Sequence, residues 1–128
     1  MHDVLIVDDD EGVRERLAKQ LRDRGYSIAT AANGLEALHY LRGGATVSVV
    51  LLDLVMPVMT GWEFHAEVSK DPALAGLPVL LVTADEHIDA VSNQLHAPVL
   101  RKPFKLPALL EALNALLGSR PPGQPSSG

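Results

Sequence analysis

Along the chain, runs of apolar residues alternate with longer stretches in which apolar positions recur every three or four residues. "VLIV" (4–7), "VSVVLLD" (47–53) and "VLLVT" (79–83) carry almost no polar alternation and read as strands covered on both faces. "YSIATAA" (26–32) reads as a short strand and "VLRK" (99–102) as a brief fifth one. "EGVRERLAKQLRDRG" spaces Val13, Leu17 and Leu21 four apart among charges, which predicts an amphipathic helix stopped by Gly25. "NGLEALHYLRGG" predicts a second, with Asn33 as N-cap and Leu35, Leu38 and Leu41 inward. "WEFHAEVSKD" is a third helix, with Trp62 and Phe64 as packing residues. "EHIDAVSNQLH" is a fourth, with Ile88, Val91 and Leu95 on one side. "LPALLEALNALLG" is the last, with Pro107 in its first turn and Gly118 closing it. That helix is apolar on more than one side, which core packing explains first and a partner surface second.

Size and composition narrow this pattern. A chain of 128 residues, 47% hydrophobic, suits one domain with a real core, expected over residues 1–118. "SRPPGQPSSG" (119–128) has no apolar residue and is expected to be a flexible tail, a linker or an added remnant. No apolar run approaches the roughly 20 residues that span a bilayer. "MHDV" does not resemble a signal peptide, so a cytoplasmic location is the expectation. The absence of cysteine excludes disulfides and thiolate metal sites. A net charge of −5 argues against direct nucleic-acid binding by this segment, and no membrane contact is expected. The five histidines (2, 39, 65, 87 and 96) lack metal-ligand spacing and read as surface residues.

Strands alternating with helices imply right-handed βαβ units, a parallel sheet and helices on both of its faces. In such sheets ligands bind beyond the carboxyl ends of the strands, near the switch point in strand order. Asp8 and Asp9, Asp53, Thr83 and Lys102 each lie at or just past the end of a different predicted strand. Parallel strands bring those ends to one edge. A strand-end aspartate taken singly is as readily a helix cap, but the set together is a site. Adjacent carboxylates repel, and a hard divalent cation such as Mg²⁺ relieves that repulsion. A metal ion, a lysine and a hydroxyl can stabilise a phosphoryl group in transfer, and a carboxylate can be its nucleophile. Asp53, alone at the end of the central strand, is the best candidate.

Five ordered blocks, "VLIVDDDEGVRERL", "TAANGLEAL", "LLDLVMPVMTGWEF", "PVLLVTA" and "VLRKPF", resemble the receiver domain of two-component response regulators from residue 4 to about 117. The resemblance implies a flavodoxin-like, doubly wound α/β fold with a five-stranded parallel sheet in order 2-1-3-4-5 and five helices. It implies that Asp53 accepts a phosphoryl group from a sensor histidine kinase or phosphotransfer protein. It implies Mg²⁺ held by Asp9 directly, by Asp8 through water, by Asp53 and by the backbone carbonyl of Val55. Lys102 would contact the phosphoryl oxygens beside a cis peptide to Pro103, and Thr83 would be the switch hydroxyl. Asp10 matches no required position and is expected in the first turn of the helix, favoured by its dipole.

The chain departs from the pattern at three places. Val99 stands where a switch aromatic is usual, Thr60 where an aspartate is common, and the segment from Thr83 to Lys102 is a few residues short, which predicts a trimmed fourth helix. Val55 and Asp85 occupy positions that tune hydrolysis in the family. The leading reading is a phosphoacceptor switch, not a turnover enzyme, acting on a downstream partner or a fused output domain. Homodimerisation through the face of the fourth helix, fifth strand and fifth helix is one contact open to it. The alternative is a pseudo-receiver, an interaction module independent of phosphorylation. An aspartate-nucleophile hydrolase ranks third, because Glu11 follows the three acids before "GV" and Val55 stands where a second acid would be needed.

Overall fold

A computed structural model describes residues 2–54, 58–83 and 98–117. Five parallel strands, β1 (His2–Val7), β2 (Ile28–Ala31), β3 (Val47–Asp53), β4 (Val79–Thr83) and β5 (Val99–Arg101), form one sheet in the order β2-β1-β3-β4-β5. The four described helices are α1 (Glu11–Arg22), α2 (Gly34–Arg42), α3 (Gly61–Lys70) and α4 (Leu106–Leu116). The helix expected over 86–96, the carbonyl of Val55, Asp85 and the 119–128 tail lie outside the described residues. No helix among the described residues is long and apolar enough to cross a membrane.

The missing polar alternation in the strands now has its explanation. Successive side chains of a strand point to opposite faces, and both faces are covered. Val4, Ile6, Val49, Leu51, Leu80 and Val82 pack on one side with Leu17 and Leu21 of α1 and Leu109 and Leu113 of α4. Leu5, Val7, Val50, Leu52 and Leu81 pack on the other with Leu38 and Leu41 of α2 and Phe64 and Val68 of α3. This partition follows from topology. The step from β1 to β2 runs one way along the sheet, and those from β2 to β3 and β3 to β4 run the other way. Right-handed crossovers then put α1 opposite α2 and α3.

Trp62 and Phe64 are packing residues as expected, Phe64 being fully buried. Pro107 lies in the first turn of α4. One core assignment is corrected: Leu35 is 43% exposed. The buried stripe of α2 is Gly34, Ala37, Leu38 and Leu41. Steps of three residues fall short of a 3.6-residue turn, so the series 41, 38, 35 drifts off that stripe. The second strand is also shorter than "YSIATAA", because Tyr26 packs beneath α1 and α4 before pairing with β1 begins at Ile28.

Candidate functional site

β1 and β3 are neighbours whose onward connections depart in opposite directions, so the switch-point crevice opens at their carboxyl ends. Val7 pairs with Leu52 and Asp53 with Val82, so Asp8, one residue past Val7, stands level with Asp53. Thr83 is level with Arg101, and the Lys102 amide donates to the Thr83 carbonyl at 2.9 Å. All the sequence-predicted site residues within the described chain thus come to one edge. Asp8, Asp53 and Thr83 are 4%, 7% and 1% exposed, whereas Asp9 is open to solvent.

Two buried carboxylates facing each other need a compensating charge. Lys102 supplies one, with Nζ 3.3 Å from Asp8 Oδ2 and 3.5 Å from Asp53 Oδ2. Burial alone pulls the ammonium pKa down, but the charges of Asp53 and Asp8 and their hydrogen bonds outweigh it and hold Lys102 above the ordinary lysine value. Among the described residues no buried side-chain nitrogen or oxygen lacks a hydrogen-bond partner. One oxygen from each of Asp8, Asp9 and Asp53 lies within 4.8 Å of the others. Three hard oxygen donors clustered against one nearby ammonium leave an excess of negative charge, a donor set that fits a small divalent cation such as Mg²⁺.

Local structure fixes each acid. The Asp8 amide donates to the Ala31 carbonyl at 3.3 Å, and Asp8 Oδ1 accepts from the Asp10 amide at 2.9 Å. Asp10 is corrected from a first-turn residue to the N-cap of α1: its backbone is extended, and its Oδ1 accepts from the Val13 amide at 3.1 Å. Past Asp53, the Leu54 amide donates to the Val82 carbonyl at 3.2 Å, and the Gly61 amide donates to the Leu54 carbonyl at 3.0 Å. Gly61 is obligatory there, since an added Cβ would sit 2.6 Å from the Leu54 Cα. Thr60 closes a capping box with Glu63, at 3.2 Å to the Glu63 amide and 3.1 Å back from its own. Threonine in place of aspartate at position 60 therefore preserves the N-cap, both residue types being good caps.

The peptide between Lys102 and Pro103 is cis. Val99 pairs with Leu81 and is half-buried against the α2–α3 side of the core. Two features lie outside the sequence-based expectations. "TGWE" carried the capping-box signal openly. Arg14, whose guanidinium donates to the Asp8 carbonyl at 2.8 Å, had no local signal.

Comparison with known proteins agrees with this geometry. The family model described as "Response regulator receiver domain" matches residues 4–114. The response regulator MprA of Mycobacterium sp. (strain KMS) is 36% identical over 124 residues, covering 94% of this chain and 53% of MprA. The transcriptional regulatory protein GlrR of Escherichia coli (strain K12) is 37% identical over 122 residues, which is 93% of this chain and 27% of GlrR. The chain thus spans about half, or less, of the length of these relatives. Among solved structures, the chemotaxis response regulator CheY4 of Vibrio cholerae superposes with a TM-score of 0.82 at 35% identity, covering 91% of this chain and 99% of that one. The response regulator TrrA of Thermotoga maritima, solved in complex with Mg²⁺ and BeF, gives 0.80 at 34% identity, with 91% and 100% covered. With five parallel strands in the order 2-1-3-4-5, acids at the ends of β1 and β3, and a family match over nearly all the described residues, the chain belongs to the response regulator receiver domains.

Proposed function

We propose that the chain is a phosphoacceptor switch: Asp53 takes a phosphoryl group from a phosphohistidine on a sensor kinase or phosphotransfer protein, with Mg²⁺ bound at Asp8, Asp9 and Asp53. The observation that carries this reading is the convergence of three carboxylates and Lys102 at the switch-point crevice. A carboxylate oxygen of Asp53 attacks phosphorus. The donor's P–N bond breaks as the P–O bond forms, and the departing imidazole takes its proton from solvent. Lys102, already within reach of Asp53, turns its ammonium to the incoming phosphoryl oxygens. Thr83, buried at the adjacent strand end, offers its hydroxyl to the same group. Mg²⁺ held by Asp8, Asp9 and Asp53 would supply positive charge to the phosphoryl oxygens and offset repulsion among the acids. The TrrA complex with Mg²⁺ and BeF supports this assignment by similarity.

As in other receivers, the outcome is a signal and not turnover. The acyl phosphate shifts the population of two conformations and thereby a partner contact, and slow hydrolysis resets it. The output is a downstream protein or a further domain of a longer chain, as the regulatory names and greater lengths of MprA and GlrR suggest. A phosphorylation-independent interaction module is the second reading, favoured by Val99, which has no ring to move between buried and exposed positions. Beryllofluoride with Mg²⁺, followed by ¹H–¹⁵N NMR, separates the two. The switch reading predicts that the amides of Asp53, Thr83 and Lys102 move and that the shifts spread into β5. A spectrum indifferent to beryllofluoride would support the interaction module.

A further inference from the structure

Asp9 is the exposed member of the acidic set, so side-chain packing does not determine where its carboxylate points. Its position must come from the backbone on either side, and on the side before it the chain is held by the Arg14 side chain. The guanidinium of Arg14 donates to the carbonyl of Asp8 at 2.8 Å, and its amide donates to the carbonyl of Asp10 at 2.9 Å. The guanidinium thus grips the peptide before Asp9. The peptide after Asp9 is tied through the Asp10 amide to Asp8 Oδ1 at 2.9 Å, and the Arg14 amide bond is the first backbone turn of α1. Arg14 lies one turn above Leu17 and Ala18, on the face of α1 turned to the sheet, and is itself half-buried. A cation held partly out of water on a buried stripe is costly unless a strong acceptor receives it. Here that acceptor is the carbonyl of a site residue.

We infer that Arg14 is a positioning residue for the metal site, holding Asp9 in line with Asp8 and Asp53 and raising the affinity for a divalent cation in spite of its own positive charge. The inference rests on the Mg²⁺ reading above. Its force lies in the sign. A guanidinium acting only as a charge repels a nearby cation, so its removal would tighten binding. A guanidinium acting as a clamp orients a ligand, so its removal weakens binding, as loss of a group orienting a metal ligand commonly does.

The test uses the full chain without phosphodonor and titrates Mn²⁺ as the probe by electron paramagnetic resonance. Arg14→Met is expected to lose about tenfold in Mn²⁺ affinity. Arg14→Lys, which keeps the charge but not the planar fork, should also lose affinity, and it carries the same test if the methionine variant is too unstable. In an Asp9→Asn background the Arg14 substitution should cost nothing further, because the ligand through which Arg14 acts has gone. Unchanged or tighter binding in Arg14→Met overturns the positioning role. So does an equal loss with and without Asp9, which would mark a general structural defect. Failure of the wild-type chain to bind Mn²⁺ at all would overturn the Mg²⁺ reading itself, a result distinguishable from the first two.

Discussion

At the end of β1 the acidic turn is held by polar bonds: Asp8 is tied to Ala31, Asp10 and Arg14, and Asp10 caps α1. At the end of β3 the described chain is held by backbone hydrogen bonds, Leu54 to Val82 and Gly61 to Leu54, and also by shape. Val58 is 73% exposed with φ of 69°, a left-handed conformation that β-branched residues rarely adopt, and Gly61 is pressed against the Leu54 backbone. Both turns deliver a carboxylate to the same crevice. The first carries three adjacent acids, Asp8, Asp9 and Asp10, whose repulsion needs nearby donors. The second carries one acid and spends its restraint on bringing the α3 N-terminus up to the strand end. The contrast teaches that a charge-dense turn draws side chains into its hydrogen bonds, whereas a charge-sparse one combines backbone hydrogen bonds with close backbone contact.

The comparison breaks most visibly at Gly61. Gly61→Ala forces a methyl against Leu54 Cα, Leu54 Cδ2 and the Asp53 carbonyl, and should cost about 3 kcal/mol, read as a lower urea midpoint at unchanged m. Val58→Asn sharpens it in the other direction. The exposed valine contributes little burial, and asparagine tolerates the left-handed region, so stability should rise by about 1 kcal/mol in the same assay. Thr60→Ala removes one half of the capping box and should cost about 1 kcal/mol, with Thr60→Asp restoring most of it.

The smallest effect is on the alkaline limb of stability. Lys102 has its pKa raised in the folded state, so the folded chain holds that proton more tightly than the unfolded one. Its contribution is fully present below the unfolded lysine value of about 10.4 and is lost as pH rises through the folded value. Tyr26, held above its ordinary value by burial and then by the charge of Asp3, acts with the same sign from about pH 10. Lys102→Met should therefore flatten the decline in stability above about pH 10, and combining it with Tyr26→Phe should flatten it further. Urea unfolding at stepped pH measures both.

Much of this architecture was legible in the sequence because the strand code is simple. Apolar runs such as "VLIV" and "VSVVLLD" could be covered only on both faces, and a parallel sheet then placed Asp8, Asp53, Thr83 and Lys102 at one edge whatever their separation along the chain. Residues acting through geometry at a distance were not legible. Arg14 reads as one more charge on an amphipathic helix until the turn of the chain puts the Asp8 carbonyl in front of it. The left-handed Val58 is invisible because no propensity favours valine there. Leu35 misled because a leucine three residues from a buried one invites the same assignment, although the true stripe runs through Ala37.

The central claim is that the acids at this edge perform phosphoryl transfer to Asp53. Intact-mass measurement after incubation with acetyl phosphate tests it most directly, with and without Mg²⁺, for the wild-type chain and Asp53→Asn. The account predicts the mass gain of one phosphoryl group on the wild type, dependent on Mg²⁺ and absent from the variant. A wild-type mass that stays unchanged while another receiver is modified in parallel would contradict it, as would a gain that survives Asp53→Asn.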